Sequence, residues 1–84
     1  MRTIQELGEA VRAARRELRL KQKDVAAQAG ITPESLLRFE RGQVCEFGSR
    51  KLLAVLAVLG IEVAFVKVGT YGLLDELRRE RTGA

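Results

Sequence analysis

The residues with most to offer chemically lie between positions 33 and 41. Pro33, Glu34, Leu37, Arg38 and Arg41 recur at three- and four-residue spacing, which puts a carboxylate and two guanidinium groups on one face of a helix. Leu36 and Phe39 fall on the opposite face and point to the interior. Nothing in this set makes a catalytic constellation. The sequence has no histidine and a single cysteine, Cys45. That removes Cys–His and Ser–His–Asp catalysis and leaves a zinc site only one thiolate plus carboxylates. No nucleophile–base pair and no phosphate-cradling glycine loop is present, so the expectation is a protein that is not an enzyme and holds no cofactor or metal. What remains is recognition by hydrogen bonds and charge.

Fifteen Lys+Arg against eleven Asp+Glu give a net charge of +4. A basic balance favours an anionic partner, most simply nucleic acid, although a merely solubilising charged surface has the same composition. A chain of 84 residues is one small domain. Such a domain buries a modest share of its surface, which makes oligomerisation a natural further source of stability. The lone thiol fits a reducing cytosol, and MRTIQELGEA lacks the apolar run of a signal peptide. The expected location is therefore the cytoplasm.

Several helices must position that polar face. Thr3 and Glu6 read as a capping box, and Ile4, Leu7, Val11, Ala14 and Leu18 form a stripe that carries a first helix to about Leu18. Arg12, Arg15, Arg16 and Arg19, interleaved with Glu9 and Glu17, read as a solvated face. A second helix from Gln22 to Ala29 buries Val25, Ala26 and Ala29, and Gly30 stops it. Lys21 stands where a serine or threonine would cap better, at a loss of about 1 kcal/mol. It also sets a cation where the helix N-terminus could meet a phosphate. Ile31 plugs the turn, and Thr32-Pro33 restarts the chain, the hydroxyl bonding free amides and the proline forfeiting none. Two short helices about a glycine turn, the second with its polar face outward, make a helix-turn-helix arrangement.

After Gly42, residues 43–48 read as a loop. A fourth helix begins near Gly48 or Ser49, turns Leu52, Leu53, Val55, Leu56 and Leu59 inward, and stops at Gly60. The run IEVAFVKV, 61–68, is β-branched and aromatic and predicts a strand apolar on both faces. No other strand pattern exists to pair with it, and unpaired buried amides are costly. Pairing with the same strand of a second copy solves this, so a homodimer is expected, with Ile61, Val63, Phe65, Val66 and Val68 at its interface. A membrane span over 52–68 is the poorer reading, being short of the roughly 20 residues required and interrupted by Gly60, Glu62 and Lys67. The chain thus divides into a domain over 1–60, a dimerisation strand over 61–69, and a tail over 70–84. In that tail Leu73, Leu74 and Leu77 could line one short helix.

Residues 7–42, LGEAVRAARRELRLKQKDVAAQAGITPESLLRFERG, resemble the XRE (Cro/C1-type) helix-turn-helix domains. The features that carry the resemblance are L-G-x-x-x-R-x-x-R, Q-x-x-x-A-x-x-x-G-I and S-L-x-R-F-E-R-G. The fold this implies is all-α, a lambda-repressor-like helix-turn-helix bundle, here with a C-terminal β-strand pairing across a homodimer. The segment FGSRKLLAVLAVLGIEVAFV, a helix leading directly into an apolar strand, is similar to the HipB-like antitoxins. Those proteins dimerise through such a strand, repress their own operon and bind a HipA-type serine/threonine kinase toxin.

The resemblance implies roles residue by residue. Gln22 would contact a phosphate, and Thr32 would cap the recognition helix and reach the DNA backbone. Pro33, Glu34 and Arg38 fall where the family reads bases. Pro33 departs from that pattern because it donates no hydrogen bond, and Glu34 because it is an acid near DNA. Arg38 is then the candidate for bidentate contact to guanine, while Glu34 either accepts from cytosine N4 or only favours its helix N-terminus. Leu37 either touches a thymine methyl or is a plain exposed leucine. Ser35 either reaches DNA or completes the first turn. Arg15 and Glu40 match a pair bridging the first helix to the end of the third. Arg41, Gln43, Ser49 and Arg50 match a backbone-contacting loop and helix start. The implied partners are an inverted-repeat DNA operator, a second copy of the chain and a HipA-like kinase, and the implied setting is the bacterial nucleoid. A stand-alone phage-type regulator, and a protein-interaction module without DNA binding, are the alternatives.

Overall fold

Thr3 opens the first helix as its type requires: its Oγ1 accepts the Glu6 amide at 3.0 Å. The computed structural model of the chain describes residues 3–67. Over that span the chain forms α1 (Ile4–Glu17), α2 (Gln22–Ala29), α3 (Pro33–Glu40) and α4 (Ser49–Val58). Thr32 repeats the device at α3, with Oγ1 accepting the Ser35 amide at 3.1 Å and proline at the first helical position. Lys21 gives α2 no side-chain cap.

All of these helices close alike. A residue in the left-handed region follows the last turn, and the amide after it reaches back to a carbonyl of that turn. Three of these positions are glycines, Gly30, Gly42 and Gly60, but α1 closes on Arg19 at φ 58°. There Leu20 N donates to Arg15 O and Arg19 N to Arg16 O. A side chain in this conformation is strained, which glycine would avoid.

The core gathers Val11, Val25, Ala26, Leu36, Phe39, Phe47, Val55, Leu56 and Leu59. The rings of Phe39 and Phe47 stack with centroids 4.0 Å apart. Helix α2 packs on α3 and α4, and α1 on α3. The α1–α3 contact needs a glycine, because a Cβ on Gly8 would lie 2.1 Å from the Phe39 carbonyl oxygen.

Three expectations need correction. Leu18, assigned to the buried stripe, caps α1 and is 50% exposed. Leu53 is 54% exposed: Leu52, Val55, Leu56 and Leu59 already form an i, i+3, i+4, i+7 face, and Leu53 falls off it. No strand is present among the described residues, and 61–67 run exposed beyond Gly60. The physical reason is the one the sequence raised: the described residues contain no strand for 61–67 to pair with. Phe65 is 99% exposed and Val66 78%. Val68 and the expected tail helix over 70–84 lie outside the described residues.

Candidate nucleic-acid interface

The exposed face of α3 is held in place from behind. Glu40, in the last turn of α3, is 1% exposed and takes both ends of a fork: Arg15 Nε donates to Oε2 and Nη2 to Oε1, each at 2.8 Å. Arg15 spends its remaining nitrogen on the Leu20 carbonyl at 2.8 Å, and Gln22 Nε2 donates to Glu40 Oε1 at 3.0 Å. One carboxylate thus ties α1, α2 and α3 together. The hydrogen bond to Glu40 holds the Arg15 guanidinium above its usual pKa; desolvation works against this, and the Coulombic attraction of Glu40 adds to it. Its charge is therefore fixed at any ordinary pH. No buried side-chain nitrogen or oxygen among the described residues lacks a partner.

In front of that brace, Thr32, Pro33, Glu34, Arg38 and Arg41 are exposed, and Ser35 and Leu37 half-buried. A recess lies on either flank of α3. One is lined by Arg12, Arg16, Lys21, Gln22, Leu37 and Arg41, over the Arg15–Glu40 pair. Its rim is cationic, since the carboxylate at its floor is already matched by Arg15. The other brings together Thr32, Glu34, Ser35, Arg38 and Val44.

Most of the expected residues therefore converge on α3 and its two flanks. Gln43 is exposed just past α3, its amide closing the helix on the Arg38 carbonyl at 2.9 Å. Ser49 is exposed at the start of α4. Arg50 is set apart, lining with Lys51 a recess beside Gly30 and Ile31. The two recesses also take in Arg12, Arg16 and Val44, which were not among the expected contacts. Arg12 and Arg16 left a weak signal, like charges four apart on a helix, and both are exposed as a solvated face requires. Val44 left none, since its loop has no period.

A family model described as a helix-turn-helix domain matches residues 1–68. The chain belongs to this family. No curated protein matches it. In this domain α2, the Gly30 turn and α3 form the helix-turn-helix. No helix among the described residues is long and apolar enough to cross a membrane.

Proposed function

We propose that the chain is a sequence-specific transcriptional repressor that binds an inverted-repeat operator as a homodimer, at the nucleoid in the bacterial cytoplasm. The observation that carries this reading is the recognition face itself. Arg38 and Glu34 are exposed on a helix anchored through Glu40, between a cationic flank and a mixed one. Phosphate contacts from Lys21, Gln22, Thr32, Arg41, Gln43, Ser49 and Arg50 set the register, and Arg38 and its neighbours set the sequence. Repression follows from occupying a promoter and needs no chemistry.

Dimerisation is supported by the apolar arm. Ile61, Val63, Phe65 and Val66 are exposed in the single chain, and Leu53 beside them leaves α4 with an uncovered apolar side. Pairing of residues 61–68 across a two-fold axis would cover both, satisfy the arm's amides and hold two α3 helices about 34 Å apart for successive major grooves. Together with the likeness to HipB-like proteins, this motivates an antitoxin that represses its own operon and binds a HipA-type kinase. A stand-alone regulator shares the DNA reading, and co-purification with the product of the adjacent gene separates the two.

The deciding experiment is selection of bound duplexes from a randomised pool, followed by binding of Arg38→Ala. That variant should lose about 1–3 kcal/mol on the selected site and relax one base position. Equal binding of all site variants by wild type and Arg38→Ala would remove Arg38 as a reader. Absence of any enriched duplex would favour the protein-interaction module, for which Pro33 and Glu34 in the first turn of α3 are the motivation. Sedimentation of a monomer at micromolar concentration would remove the dimer.

A further inference from the structure

The recess on the side of α3 away from Arg12 and Arg16 brings Val44 next to Thr32, Glu34, Ser35 and Arg38. Glu34 supplies an acceptor there and Arg38 a donor, whereas Val44 is an apolar wall. Its position is fixed from several directions. Gly42 N donates to the Phe39 carbonyl at 3.1 Å and Gln43 N to the Arg38 carbonyl at 2.9 Å, so the loop leaves α3 along one path. Gln5 Nε2 then reaches across from α1 to the Val44 carbonyl at 3.2 Å. The side chain packs partly on the core and stays half-exposed on its other side.

Base-pair edges in the major groove present acceptors, donors and one apolar group, the thymine C5-methyl. A guanidinium and a carboxylate answer the first two, and only an aliphatic or aromatic surface answers the third. We propose that Val44 is a specificity-determining residue whose side chain receives a thymine C5-methyl group at a base pair beside the one read by Arg38. This rests on the DNA-reading function proposed above. Leu37, the other aliphatic side chain at the interface, lines the opposite recess, so the two side chains address different base pairs.

The test uses the full chain and the duplex that it enriches from a randomised pool. Each thymine of that site is replaced singly by deoxyuridine, which deletes only the methyl group. Dissociation constants are then measured for wild type, Val44→Ala and Leu37→Ala. At one position deoxyuridine should weaken wild type about three- to fourfold, the worth of one buried methyl. The same substitution should leave Val44→Ala unaffected and still weaken Leu37→Ala. Taking the ratio of the two duplexes within each protein cancels differences in folded fraction. If Val44→Ala melts below the assay temperature, Val44→Thr takes its place, and the deoxyuridine effect should then fall to less than about half that of wild type. If no thymine methyl loses its effect specifically in the Val44 variant, or the site has no thymine there, the assignment is overturned while DNA reading stands. If no duplex is enriched at all, the DNA-reading function fails and this inference with it.

Discussion

Replacing Arg15 by methionine should be among the most damaging single changes to this domain. Glu40 is 1% exposed, and of its three hydrogen bonds Arg15 supplies the two at 2.8 Å. Methionine fills much of the same space but leaves the carboxylate with Gln22 alone. Breaking a buried pair from one side in this way costs about 3–5 kcal/mol. In a domain this small each 1 kcal/mol moves the melting temperature by about 4–8 °C, so a fall of at least about 12 °C is expected. The double variant Arg15→Met/Glu40→Leu should regain most of that loss, because an apolar pair of similar volume is often no worse than a buried ion pair. Urea unfolding followed by circular dichroism, with a thermal melt beside it, reads both. A loss of about 1 kcal/mol or less in the single variant, the scale of an exposed pair, would refute the reasoning. So would a double variant no more stable than the single one.

Three further outcomes follow from particular contacts. Gly8→Ala must push α1 off the Phe39 carbonyl, which its Cβ would approach to 2.1 Å, so it should cost about 1–3 kcal/mol in urea despite alanine's better helix propensity. An unchanged urea midpoint would mean the two helices separate freely. Arg19→Gly removes a left-handed arginine and should raise stability by about 0.5–1 kcal/mol, seen as a higher melting temperature; a lower one would show that the Arg19 side chain outweighs its strain. Arg12→Ala and Arg16→Ala should each flatten the dependence of log K on log salt by about 0.9, one phosphate's worth of released counterions. An unaltered slope would return both arginines to the solvated face.

The parts of the fold written in short-range signals were legible. Thr3, Gly30, Thr32-Pro33 and Gly42 each act within a turn of themselves, and the helix boundaries fell where those residues put them. The orientation of Leu53 was legible but passed over: Leu52, Val55, Leu56 and Leu59 hold the helical period, and Leu53, with Ala57 and Gly60 at i+4 and i+7, does not. Arg12 and Arg16 were seen but not placed: their meaning depends on Lys21, Gln22 and Arg41 arriving beside them from α2 and α3. Val44 depends on a loop path that Gln5 fixes from near the start of the chain, and no local pattern encodes that. The apolar run over 61–67 was legible as apolar, but whether it pairs depends on a second chain that one sequence does not describe.

The shared carboxylate of Glu40 has a consequence for how a duplex is met. With α3 tied to both neighbouring helices through Glu40, a shift of α3 within its own domain to suit a groove would break those hydrogen bonds. If the chain reads DNA as proposed, compliance within each half-site falls to the nucleic acid, and sites with easily deformed pyrimidine–purine steps outside the contacted bases should be preferred over stiff ones. Sequences flanking the contacted bases would matter to affinity although no side chain reaches them, and a circular-permutation gel that detects no bend in the bound duplex would speak against it.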